Sequence, residues 1–264
     1  MSGHTATGNK AVDGETAAET RIAVADWRVR LSLAENANYL YKDQATPGIL
    51  SPLVATNGVV FPYTPNINIG YNANYEGTAP THSNYKIQQY VNSAVDSITV
   101  TADFTCQDTF EANYLLACIH FFRSMTKMFY GQDENPKNGT PPPLGYFTGL
   151  GAFQLNNHPV AITNFAYNLP KDVDYIKATN SNKDSSGTKI NLIGGQLEPG
   201  GLRPPANFMA SEDEAITYVP TKIVLTITCV PVISRNDVSN KFSLKDYASG
   251  KLLRGNQENS GGMW

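Results

Sequence analysis

The stretch from Ile98 to Gly131 constrains the fold more than any other in this chain. Ile98, Val100, Ala102 and Phe104 alternate with Thr99, Thr101, Asp103 and Thr105, the period of a strand with one buried face. The pattern changes at Asp108-Thr-Phe-Glu111, where an Asp with a Glu three residues later can satisfy the orphan N–H groups of a helix start. Phe110, Tyr114, Leu115, Cys118, Phe121, Phe122, Met125, Met128 and Phe129 then recur at three-and-four spacing, and Gly131 is placed to stop the helix. One helix over about 108–130 is therefore predicted. Its aromatic and Met content calls for cover, from the adjoining sheet and from a neighbouring molecule.

Around this unit the chain reads as a β domain over 26–234, with a polar extension at 1–25 that stays mobile until bound and a polar tail at 235–264. Trp27, Val29, Leu31 and Leu33 alternate in a first strand, with Arg28 and Arg30 on its other face. The long loop 34–65 holds Tyr39, Tyr41, Ile49, Leu50, Leu53, Val59 and Phe61. Loops of that length are unusual in a compact domain, so the segment is expected to be an apolar arm that packs on another subunit. The alternative is a loop folded over its own core. Asn66 to Tyr75 reads as one alternating strand, and Tyr85 to Tyr90 leads into the Ile98 strand as its antiparallel neighbour. A hairpin turns at Gly149-Leu-Gly151, and a strand from His158 switches face near Asn164, which suggests a bulge. Val173 to Ala178 would extend that strand. The stretch 179–215 is a surface insertion rich in Asn, Ser, Gly and Pro, with a short strand at Ile190 to Ile193. Ile223, Leu225, Ile227 and Cys229 face inward on a last core strand that Pro231 ends. In the tail, Tyr247, Leu252 and the terminal Trp264 are isolated apolar groups, suited to docking on a partner.

Charged residues make up only 16% of the 264, the net charge is −3, and the mean hydropathy is −0.30. Low charge with abundant Asn, Thr, Gly and Tyr fits turn-rich β structure and protein contact, and offers no electrostatic footprint for nucleic acid. No apolar run approaches the roughly 18 residues of a membrane span, and the polar N-terminus is no signal peptide. Cys106, Cys118 and Cys229 sit in apolar patterns and read as reduced, buried thiols of a chain made in the cytosol. No catalytic site, metal site or cofactor is expected. Ser124-Met-Thr-Lys127 has S-x-x-K spacing but lies late in the helix without companion motifs. His4, His82, His120 and His158 show no ligand spacing, and Gly149-Leu-Gly151 and Gly194-Gly195 open no phosphate loop. The acids at Asp172, Asp174, Glu212, Asp213 and Glu214 lie in polar sequence where nothing would raise a carboxyl pKa.

Five stretches resemble structural proteins of T4-like and cyanophage-type contractile phages: RVRLSLAENANYLY from Arg28, GVVFPYTPNI from Gly58, THSNYKIQQY from Thr81, EANYLLACIHFFRSMTKMFYGQD from Glu111, and GTPPPLGYFTGLGAFQLNNHPVAITNFAYNLPKDVDYI from Gly139. The order of elements resembles the tail-tube fold. This resemblance implies an antiparallel β-sandwich or barrel with one flanking helix, a long arm loop and extended termini. It implies subunits in hexameric rings that stack on other tail tube or baseplate hub rings, with sheath or baseplate wedge proteins as further neighbours. DNA would pass the lumen without specific binding, and the protein would sit in the virion tail after assembly in the host cytoplasm. The extensions at both ends and the 179–215 insertion favour a tube initiator at the baseplate–tube junction over a main tail tube protein. A β-sandwich module that binds carbohydrate or a cell surface through tyrosines is the alternative from another class.

Overall fold

The computed structural model describes residues 27–43, 48–131, 139–151, 153–179, 216–254 and 262–263. Its strands are β1 (Arg30–Leu33), β2 (Val59–Val60), β3 (Asn66–Asn68), β4 (Tyr71–Thr78), β5 (Ile87–Val95), β6 (Ile98–Thr105), β7 (Gly145–Gly149), β8 (Leu155–Tyr167), β9 (Tyr175–Thr179), β10 (Ile216–Pro220) and β11 (Lys222–Pro231). The helices are α1 (Pro52–Thr56), α2 (Thr109–Ser124), α3 (Arg235–Lys241) and α4 (Leu244–Ala248), with short 3-10 turns at Leu40–Lys42, Gly48–Leu50 and Leu252–Arg254. The chain is mainly β, and every strand pairing is antiparallel. Among the described residues one open sheet runs β2-β1-β7-β8-β11-β6-β3, with β4–β5 and β9–β10 as separate two-stranded ribbons.

Alternation places the core where the sequence puts it. Ile98, Val100, Ala102 and Phe104 of β6, and Ile223, Leu225, Ile227 and Cys229 of β11, are all buried on one face. Thr99, Thr101, Asp103, Val224, Thr226 and Thr228 occupy the other, half-open face. The bulge on β8 is real: Thr228 pairs with Asn164 but Cys229 with Ile162, so Thr163 is the extra residue. β10 passes into β11 through Thr221 alone, and Ala178 and Val219 bring the β9–β10 ribbon into the common core beside α2. Val173 to Ala178 therefore does not extend β8, because the chain bends away after Tyr167 to form that ribbon.

Asp108 caps α2 as predicted. Its Oδ1 accepts from the Glu111 N–H at 2.8 Å, and Glu111 Oε2 accepts from the Gln107 N–H at 2.7 Å. The helix ends at Ser124, short of Gly131, and Phe110 and Met128 are exposed. Leu115 and Ala117 are both buried although they lie about 200° apart round the helix axis, so α2 is covered on more than one side. That cover comes from this chain: β9–β10, the 3-10 turn at Gly48–Leu50 and α1 all lie against α2.

The 34–65 segment is correspondingly not a projecting arm. Tyr41, Leu53, Val59 and Phe61 are buried in the core, with Tyr41 packed against Phe121 and Phe61 against Phe104 and Phe122. The Tyr41 hydroxyl accepts from the Leu33 N–H at 2.9 Å. The Tyr114 hydroxyl of α2 accepts from the Val60 N–H at 2.8 Å and donates to the Val60 carbonyl at 2.9 Å, holding β2 to the helix. Gly58 permits the turn into β2: its φ is +117°, and a Cβ there would stand 2.5 Å from the Leu31 carbonyl oxygen. Of the alternatives that the sequence left open, the loop folded over its own core is the one realised, because its aromatic side chains complete the layer between sheet and helix.

Candidate interaction surface

The apolar surface that the structure leaves open is elsewhere. Asn66 to Tyr75 is not one strand but two elements, parting at Ile69-Gly70. β3 stays on the main sheet beside β6, while β4 leaves it and pairs with β5, whose register runs from Tyr71 opposite Val95 to Thr78 opposite Ile87. The Asp96 N–H donates to the Gly70 carbonyl at 2.9 Å and closes the base of the ribbon. β5 is thus not the sheet neighbour of β6; β3 and β11 are. At about 3.3 Å per residue, the eight residues of β4 reach about 26 Å.

Directly opposed residues share a face, and the two faces of the ribbon differ. One carries Tyr71 with Val95, Ala73 with Ser93, and Tyr75 with Tyr90. The other carries Asn72 with Ala94, Asn74 with Asn92, and Glu76 with Gln89. Tyr75 and Tyr90 meet edge to face with centroids 5.7 Å apart, and the Tyr90 hydroxyl donates to Ser93 Oγ at 2.8 Å. On the polar face Asn74 Nδ2 donates to Asn92 Oδ1 at 2.8 Å, and Asn72 bonds Asp96. Every residue of β4 is exposed, with Tyr75 at 61% and Tyr90 at 58%. Tyr85 and Ile87 add further exposed apolar groups towards the tip. A two-stranded ribbon without a hydrophobic face against a core is marginal by itself in water. One aromatic face turned outwards on such a ribbon fits a surface that becomes covered.

The residues expected at an interface are scattered by comparison. Tyr41, Leu53, Val59 and Phe61 lie inside the core and present no side-chain surface. Tyr39 is half-buried, edge-on to Phe129 at 5.2 Å, and Ile49, Leu50 and Leu252 are half-buried as well. Among the described residues of that set, Tyr247 meets the ribbon at Tyr71. Burial, with Tyr71 beside it, raises the pKa of its hydroxyl, and its ring packs on Phe242 at 6.0 Å. Trp264, the 1–25 extension, Ile190 to Ile193 and most of the 179–215 insertion fall outside the described residues. Sequence reasoning misses the ribbon because Asn66 to Tyr75 alternates as one strand, with no mark of where it leaves the sheet. Its signal is the absence of Val, Leu and Ile between Tyr71 and Tyr75, where only Asn and Ala separate the aromatics.

The potentially reactive side chains are engaged structurally. The Ser124 hydroxyl donates to the His120 carbonyl of its own helix at 2.8 Å, and burial together with Arg123 lowers the His120 pKa. Among the described residues no group of His, Cys, Asp and Glu could hold a metal ion, and no helix is long and apolar enough to cross a membrane. Neither a protein-family model nor a curated protein sequence matches this chain.

Proposed function

We propose that this chain is a structural subunit of a contractile phage tail, forming a ring at the junction of baseplate hub and tail tube. What carries the reading is the β4–β5 ribbon, an extended amphipathic element whose tyrosine face leaves Tyr75 and Tyr90 exposed. The five stretches that resemble phage tail proteins include the start of β5 in the ribbon and most of α2. In this reading the ribbon, and not the 34–65 segment, is the arm that meets an adjacent subunit or ring. Burial is worth ~25 cal/mol per Å² of apolar surface, so a modest contact repeated round a ring gives a rigid conduit. The Thr-rich open face of the main sheet, with Thr99, Thr101 and Asp103, is the candidate lumen wall, polar and with only sparse positive charge, from Arg30 on β1 and Lys222 on β11. DNA would slide along such a wall without being held.

Light scattering of the purified protein, with negative-stain imaging of the same fractions, tests this. Rings, alone or on mixing with tube or hub proteins, are expected. The double variant Tyr75→Ser/Tyr90→Ser should keep the native circular dichroism and lose the rings. Spontaneous long tubes would move the assignment to a main tube protein. A monomer inert to tail proteins but retained on glycan surfaces would overturn the tail reading and make the tyrosine face a carbohydrate site.

A further inference from the structure

An open sheet has two terminal strands, and each presents a row of backbone groups to which a strand of another chain can add. Among the described residues these are β2 and β3. On β2 the direction of those groups follows from its pairing with β1, in which Val59 stands opposite Leu31 and Val60 opposite Arg30. The Phe61 N–H donates to the Val29 carbonyl at 3.1 Å. Bonded and non-bonded pairs alternate along an antiparallel ladder, so the N–H and carbonyl of Val60 point away from β1, to the free side. Both are already engaged, at 2.8 and 2.9 Å, by the single hydroxyl of Tyr114 on α2. The groups that flank the strand are engaged as well. The Gly58 N–H donates to the Leu53 carbonyl of α1 at 3.0 Å, and the Gly58 carbonyl accepts from Thr56 Oγ1 at 2.6 Å. Beyond Phe61 stands Pro62, which has no N–H to offer.

We propose that Tyr114 and Thr56 form an edge stop, an autoinhibitory contact that bars any further strand from adding at β2. A hydroxyl accepts and donates at once, so Tyr114 gives Val60 the same two bonds that a residue of a neighbouring strand would give. An incoming strand would trade two hydrogen bonds for two and gain nothing from the exchange itself. It would also have to move α2, whose Leu115, Cys118 and Phe122 are buried in the core. The sheet therefore does not grow past β2, and copies of this chain do not merge into a sheet that is continuous through both of its edges. The stop holds whether or not the protein belongs to a phage tail.

The test compares the full-length wild type with Tyr114→Phe, which keeps the ring and removes the hydroxyl. Hydrogen exchange read residue by residue should find the wild-type Val60 amide at least tenfold slower than the fastest amides of β4, although both strands lie at an edge. Tyr114→Phe should speed the Val60 amide about tenfold, the effect of one lost hydrogen bond. Amides of β6 and β11 that stay protected would show that its body is folded. A fluorescein-labelled peptide of residues 27–33, the sequence that β2 already pairs with on its inner side, then probes strand addition. Fluorescence anisotropy should show it binding Tyr114→Phe at least tenfold tighter than the wild type. Thr56→Val, which frees the Gly58 carbonyl and leaves Tyr114 in place, provides the second receptor and should rank between the two. Peptide taken up at β3 or at the ribbon would bind all three proteins alike. A fast Val60 amide in the wild type, or a folded Tyr114→Phe chain that binds the peptide no better than the wild type, would overturn the stop.

Discussion

Burial pushes the His158 imidazole down to about 4 from its ordinary 6.5. A neutral ring carries one N–H, and the 2.8 Å contact with the Gly262 carbonyl places it on Nδ1. The Gln154 carbonyl lies 3.3 Å from Nε2 and would favour the doubly protonated ring, but that contact is long and the loss of water outweighs it. With the folded pKa below the unfolded one, the contribution of His158 to stability is complete above about pH 6.5. It is lost as pH falls through about 4. Denaturant unfolding of the wild type should lose about 3 kcal/mol from this group between pH 7 and pH 4, whereas His158→Gln should lack that component. Equal pH slopes for the two proteins would remove the assignment. The inward residues of β6 and β11 were legible because alternation is a local signal. The role of His158 was not, since its partner stands 104 residues away.

The helix at the centre of the fold was readable at its start and not at its end. Asp108 and Glu111 act within one turn, so their identities alone announce the cap. Asp108→Ala should cost about 1 kcal/mol in denaturant unfolding, and an unchanged midpoint would mean that the cap is not needed once α2 is packed. The helix stops beside its last fully buried side chain: Met125 is buried, the following Met128 is exposed, and the apolar spacing continues past both without a sequence mark. The break at Ile69-Gly70 was equally silent. Alternation passes unbroken through Asn66 to Tyr75, yet only β3 has a place on the sheet beside β6. A pattern of period 2 states that a strand has two faces; it does not state which sheet receives it.

Across the whole molecule, sheet, α2 and the 34–65 segment share one core, and the three thiols report on it together. Cys106, Cys118 and Cys229 are free and buried, and burial raises all three pKa values, those of Cys106 and Cys229 to about 12. A chromogenic disulfide reagent at pH 8 should therefore modify none of them in the native state and all of them in denaturant, at a rate that follows global unfolding. Fast labelling of any one thiol would show that its part of the core opens separately. The mainly β class and the reduced, buried cysteines were thus legible from pattern and composition. The fate of the 34–65 segment was not, because an apolar loop looks the same whether its aromatics fill a gap in their own core or in a neighbour's. Only the space between β1, β6 and α2 decides, and that space exists only after folding.

The ribbon has a different relation to descent from that of the rest of the chain. Its hydrogen bonds run between its own two strands, so a change in its length need not disturb the main sheet. Adding one residue to each strand lengthens it by about 3.3 Å but turns every later side chain to the opposite side. Adding two to each restores the sidedness and extends the reach by about 7 Å. Relatives of this protein should accordingly differ in the ribbon by even increments, a size series in which a single body meets neighbours at graded distances.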